Sequence, residues 1–61
     1  MAHSSEYERG AENARRMIEN SGLEFAKGSF DDNLAERGLA EPQDDYDIGY
    51  QSVLRAAENK S

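Results

Sequence analysis

The sequence contains no cysteine, no tryptophan, one histidine and one proline. Without cysteine the chain can form neither a disulfide framework nor a thiolate zinc site. His3 alone cannot assemble the usual metal sites of histidine and cysteine, so a metal ion would have to be a hard cation bound by oxygen atoms. We therefore predict neither a cofactor nor a metal site.

Long apolar runs are also missing. Apolar residues occur only in short runs such as Val53-Leu54, whereas a helix needs roughly 20 such residues to span a bilayer. The first residues form neither the basic segment nor the apolar segment of a secretory signal. These absences predict a cytoplasmic protein that does not contact the membrane.

Positive charge is scarce as well. Seven Lys and Arg stand against thirteen Asp and Glu, which gives a net charge of -6 over 61 residues. A surface of this charge repels phosphate backbones at neutral pH, so direct binding to nucleic acid is not expected. The length allows one small domain with little core.

The first segment has the pattern of an amphipathic helix. Ser5 and Glu8 match a capping box, in which a serine hydroxyl accepts from a first-turn amide and the glutamate reaches back to the cap. The apolar residues that follow recur at helical spacing, and they are Tyr7, Ala11, Ala14 and Ile18. Gly22 can end such a helix. We predict a helix over residues 5–21.

The middle of the chain is less regular. Ser29, followed by Asp31 and Asp32, is typical of a helix cap with acidic residues in the first turn, and Gly38 can end that helix. We predict a helix over 30–37. Residues 23–27 could form a further helical turn or a connector, and in either case we expect Leu23 and Phe25 to point inward.

Pro42 marks a loop, because proline lacks an amide donor and disfavours helix in the preceding residue. A third helix is predicted over 45–58, with Asp44 or Asp45 as its N-cap. Its apolar stripe consists of Tyr46, Tyr50, Val53, Leu54 and Ala57.

No segment has the alternation of a strand, and one valine, two isoleucines and no threonine disfavour a sheet. The predicted fold is all-α. It is one domain over residues 5–61, in which two to three short helices pack as a helical hairpin or a minimal bundle. Residues 1–4 are predicted to form a disordered tail.

A weak internal repeat links the first and third helices. Tyr7 and Gly10 recur, 39 positions later, as Tyr46 and Gly49. A glycine inside a helix costs about 1 kcal/mol relative to alanine. Two explanations stay open: the helix backbones approach closely at these glycines, or glycine is merely tolerated near a helix end.

Acidic residues cluster in the segment 41–47. As a calcium loop counted from Asp44, this segment fails, because Tyr46 and Ile48 occupy ligand positions and Arg55 replaces the final glutamate. The carboxylates could simply cap the third helix and stay solvated, or they could bind a basic surface. Their position beside two tyrosines is typical of interfaces, where aromatic anchors are surrounded by polar groups.

The tyrosines also have two interpretations, since both rings could instead belong to the core. The candidate partner-binding residues are Glu41, Asp44, Asp45, Asp47, Tyr46 and Tyr50. Catalysis has little support, because His3 lies in the predicted tail and the serines are explained as caps or helix surface. We expect a protein that is not an enzyme.

The leading hypothesis is a non-catalytic interaction protein that docks on a basic surface of a protein partner. In composition the chain is similar to small acidic proteins of phages and mobile elements, among them inhibitors that occupy nucleic-acid-binding surfaces. The alternative is a structural or regulatory subunit that forms homo-oligomers through the apolar faces of the first and third helices. A docking protein should cluster its acidic residues, whereas a self-associating one must keep them off the shared interface.

Overall fold

The computed structural model describes residues 4–60, which form three helices and no strand: α1 (Ser5–Ser21), α2 (Leu23–Glu36) and α3 (Asp45–Lys60). The predicted all-α class is confirmed. Within the same residues, no helix is long and apolar enough to cross a membrane.

Helix α1 has the predicted bounds but a different cap. Ser4 has an extended backbone, and its side chain accepts a hydrogen bond from the Tyr7 amide at 3.1 Å. Ser5 therefore lies inside the helix, and the predicted capping box with Glu8 is wrong. The rest of the predicted tail, residues 1–3, lies outside the described residues. Gly22 ends α1 with φ 94°, and its amide donates to the Ile18 carbonyl at 2.8 Å.

Helix α2 is longer than predicted, because it begins at Leu23, directly after Gly22. Ser29 is thus an interior residue and not a cap. The prediction placed the cap of the helix at Ser29 because of the local chemistry there. The buried stripe of Ala26, Phe30 and Leu34 begins before Ser29, however, and the helix extends toward the N-terminus with it. Tertiary packing of such a stripe commonly outweighs local preference.

The end of α2 follows the prediction for Gly38. The Leu39 amide donates to the Leu34 carbonyl at 2.9 Å, and the Gly38 amide donates to the Ala35 carbonyl at 3.0 Å. These two bonds are a Schellman motif, with Gly38 at φ 71°. Leu39 and the buried Leu34 both belong to the core packing, as that motif favours.

Leu23 and Phe25 do not both point inward. Leu23 packs against the core, whereas Phe25 is 58% exposed, so the prediction for Phe25 is wrong. Both residues belong to α2. Residues two positions apart in a helix differ by about 200° around its axis, so Leu23 and Phe25 lie on opposite sides.

The loop around Pro42 and the third helix agree with the prediction. The Asp44 carbonyl accepts from the Ile48 amide at 2.9 Å. Helix α3 begins at Asp45 and continues two residues past the predicted end, to Lys60.

Helices α1 and α3 run parallel. Their first turns are joined by a hydrogen bond from the Ser4 hydroxyl to the Asp45 carboxylate, 2.9 Å long, and their last turns line a common groove. Helix α2 runs in the opposite direction, since Lys27 in its first half pairs with Glu58 in the last turn of α3. The three helices form an up-down-up bundle.

The two glycines of the repeat are the points where α1 and α3 touch. A Cβ atom on Gly10 would lie 1.9 Å from the Tyr46 carbonyl oxygen, and one on Gly49 would lie 2.1 Å from the Tyr7 carbonyl oxygen. The contacts are reciprocal. Of the two explanations left open, close approach of the backbones is confirmed.

The core lies between the three helices. Its buried members are Ala14, Ala26, Phe30, Leu34, Tyr50 and Leu54. The Phe30 and Tyr50 rings stack with centroids 5.2 Å apart and planes only 5° from parallel. This contact fixes α2 against α3.

Candidate docking surface

The acidic residues concentrate at one end of the bundle. Parallel packing of α1 and α3 brings their first turns together, and the loop from α2 enters α3 at the same place. We call this region the acidic end; it contains Glu6, Glu8, Glu36, Glu41, Asp44, Asp45 and Asp47. Carboxylates in a first turn interact favourably with the helix dipole, which gives α1 and α3 a structural reason to begin with acidic residues.

Asp47 does not belong to the exposed surface of this end. Its side chain is buried, with 5% of the residue exposed, and Arg37 donates a hydrogen bond to it. That hydrogen bond is the chief reason why the pKa of Arg37 is raised. Since a buried carboxylate needs a partner, Asp47 is a structural residue in this fold.

Asp44 and Asp45 have weaker contacts and stay exposed. Arg37 lies 3.5 Å from the Asp44 carboxylate, and Asp45 accepts the hydrogen bond from Ser4. Glu41 is also exposed, in the loop before α3. These three carboxylates can meet a partner without rearrangement of the bundle.

Tyr46 lies between core and surface. The ring is half-buried, and Asn13 of α1 donates a hydrogen bond to its hydroxyl at 2.6 Å. The Tyr50 ring lies next to it, 6.4 Å away between centroids. Tyr46 therefore joins α1 to α3 and is only partly exposed to solvent.

Tyr50 is a core residue. Only 8% of it is exposed, and its ring stacks on Phe30. Burial raises the pKa of its hydroxyl, and the charge of Tyr46 adds to this shift. Of the two interpretations of Tyr50, the structure agrees with core.

The predicted site is therefore divided. Glu41, Asp44 and Asp45 share an exposed surface, whereas Asp47 and Tyr50 lie inside. Sequence reasoning missed Arg37, whose hydrogen bond to the buried Asp47 separates this carboxylate from the exposed ones. A signal was present, because Arg37 directly follows the α2 segment and is the nearest base to the acidic cluster along the chain.

The chemistry available at the acidic end is charge recognition. Among residues 4–60 there is no group of three or more acidic or histidine side chains that could hold a metal ion. The exposed carboxylates can accept hydrogen bonds from lysine and arginine, and such charge-assisted bonds are stronger than neutral ones.

Comparisons with protein-family models, curated proteins and solved structures found no match to this chain. Function is therefore inferred from the geometry and charge of the chain itself.

Proposed function

We propose that this is a non-catalytic cytoplasmic protein that docks its acidic end on a basic surface of a protein partner. The observation that supports the proposal is the convergence of Glu41, Asp44 and Asp45 with the acidic first turn of α1 at one end of the bundle. Opposite charge on the partner would speed encounter and fix the orientation of docking.

The alternative of self-association has less support. It required free apolar faces on α1 and α3, but these faces pack against each other within one chain, with Gly10 and Gly49 at the closest contacts. The clustering of carboxylates at one end agrees with the docking hypothesis.

The partner's basic surface is one that would otherwise hold nucleic acid. Carboxylates on a rigid helical end can stand where backbone phosphates would stand, and they would then exclude the nucleic acid. This form of the proposal predicts inhibition by competition. It also predicts sensitivity to salt, because the Debye length falls from about 10 Å at 0.1 M to about 3 Å at 1 M.

The test compares two double variants that remove the same charge. Asp44→Asn/Asp45→Asn changes the acidic end and keeps side chains suited to a helix start. Glu12→Gln/Glu19→Gln changes two exposed carboxylates of α1 that lie outside the acidic end. Asp47 is left intact, because its change would also disrupt the pair with Arg37.

The immobilised chain and both variants are used to capture partners from cells of the source organism, and association is then measured with the purified partner. We expect Asp44→Asn/Asp45→Asn to lose about tenfold in affinity, mainly through slower association, while the control binds like the parent. Equal binding by all three proteins at low salt would refute docking through the acidic end. Simultaneous binding of nucleic acid would refute competition.

A further inference from the structure

Helix α2 turns a second surface away from the bundle. Its buried stripe faces the core, and the residues on the other side are all exposed. We call this side the outward face of α2; it consists of Glu24, Phe25, Gly28, Asp32, Ala35 and Glu36. None of these residues is needed to close the core.

Phe25 is the most exposed large apolar side chain on this face, at 58%. Ile48 on α3, at 42%, is the other large apolar residue exposed within residues 4–60. An aromatic ring that projects from a rigid helix is a typical interface anchor, because it buries much area with little loss of conformational entropy.

Gly28 lies one turn from Phe25, in the middle of α2. A Cβ atom there would meet nothing within 4 Å among residues 4–60. At Gly10 and Gly49 another helix backbone excludes a side chain, but no group in the described part of the chain does so at Gly28. Glycine destabilises an exposed helix interior, and close approach by another molecule would account for it.

The charge on this face has one sign. Glu24, Asp32 and Glu36 are exposed on it, and Asp31 lies at its edge. The only base of α2 is Lys27, and it pairs with Glu58 of α3. The hydrogen bond to Glu58 is the main cause of the raised pKa of Lys27, ahead of the charges of Glu24 and Asp31.

We propose that the outward face of α2 is a docking site for a basic protein surface with an apolar pocket. The pocket receives Phe25, its lysine or arginine rim meets Asp32 and Glu36, and the partner's backbone passes over Gly28. This inference rests on the proposed function in that the partner is basic. It assigns the anchoring contact to Phe25 and Gly28, which lie outside the acidic end, whereas Glu36 belongs to both surfaces.

The probe is a fluorescently labelled amphipathic peptide that carries lysine on one helical face and leucine on the other. A second peptide has serine in place of leucine and the same number of lysines. Binding of both is measured by anisotropy for the parent chain, Phe25→Ala, Gly28→Ala, Asp44→Asn/Asp45→Asn, and the control Ile48→Ala. Circular dichroism verifies that each variant is folded.

We expect the leucine peptide to bind the parent and to shift the amide resonances of Phe25 and Gly28. Phe25→Ala should weaken it about tenfold, and Ile48→Ala should not. Gly28→Ala is the sharpest variant, because the added methyl raises the thermal midpoint of unfolding and yet weakens binding. If Gly28 had only a structural role, the substitution would not raise the thermal midpoint and weaken binding at the same time.

The proposal is overturned if the leucine peptide does not bind, if the serine peptide binds equally well, or if Phe25→Ala binds like Ile48→Ala. It is also overturned if Gly28→Ala binds like the parent. If Asp44→Asn/Asp45→Asn alone loses binding, the acidic end is the docking site and the outward face is not. If none of the substitutions changes binding, both proposals fail.

Discussion

At the scale of single residues, two glycines set the distance between α1 and α3. The atoms that a Cβ would meet at Gly10 and Gly49 are backbone carbonyl oxygens, at 1.9 and 2.1 Å. A flexible side chain could move aside, but a helix backbone cannot do so without separating the helices. The absence of a side chain is therefore what allows α1 and α3 to pack here.

Substitution of Gly49 by alanine should destabilise the protein by about 2 kcal/mol or more, because overpacking outweighs the gain in helix propensity. Gly28→Ala is the matched control, with a predicted gain of about 0.5–1 kcal/mol. Urea unfolding of both variants measures the difference. Equal stability of Gly49→Ala and the parent would contradict the close contact.

Burial of Tyr50 predicts a specific pH dependence. Its pKa is raised in the folded state, so folding favours the neutral phenol. This contribution is complete below the unfolded pKa of about 10 and is lost as pH rises through the folded pKa. Between about pH 9 and pH 11, the parent should therefore lose more free energy of unfolding than Tyr50→Phe. Denaturant unfolding at several pH values measures this difference. If the free energies of unfolding of the two proteins fall equally over this range, burial does not perturb the pKa of the hydroxyl.

At the scale of elements, one residue separates two helices. Gly22 ends α1 and is followed at once by α2, with φ 94° and ψ 159°. This backbone conformation is essentially restricted to glycine. It lets α1 stop and α2 return without a loop, which is why α2 can begin at Leu23.

Gly22→Ala should cost about 1–3 kcal/mol in unfolding free energy while helix content is unchanged. The chain is short enough for chemical synthesis, so D-alanine at the same position provides the control. D-alanine favours positive φ and should restore most of the loss, as judged by thermal unfolding. Equal destabilisation by both enantiomers would indicate a steric cause and not a conformational one.

At the scale of the whole molecule, parallel packing of α1 and α3 makes the charge distribution uneven. Both acidic first turns and the acidic loop meet at one end, while Lys27, Arg55 and Lys60 lie toward the other. An up-and-down hairpin of α1 and α3 would have separated these carboxylates. The acidic end is therefore a product of topology as much as of composition.

We expect the isolated chain to sediment as a monomer of 6.8 kDa. Its apolar stripes are used within the chain, and a net charge of -6 opposes association of like copies. The thermal midpoint should then be unchanged over about a hundredfold range of concentration. A midpoint that rises with concentration, or a doubled mass, would instead support the homo-oligomer of the alternative hypothesis.

Much of the fold followed from local patterns, whereas only part of the candidate site did. The exposure of Glu41, Asp44 and Asp45 agrees with their polarity. Asp47 has the same chemistry as Asp45 but the opposite burial, because it faces Arg37 across the bundle. Composition cannot distinguish two neighbouring aspartates that lie on different sides of one helix.

The sequence alone determined the elements whose causes are local. The spacing of apolar residues defined α1 and α3, Gly22 and Gly38 ended α1 and α2, and Pro42 marked the loop. Tertiary structure decided the start of α2, the exposure of Phe25 and the contact partners of the glycines. These depend on which residues distant in the chain come together, since burial competes with local preference only when another helix is present to cover the buried side.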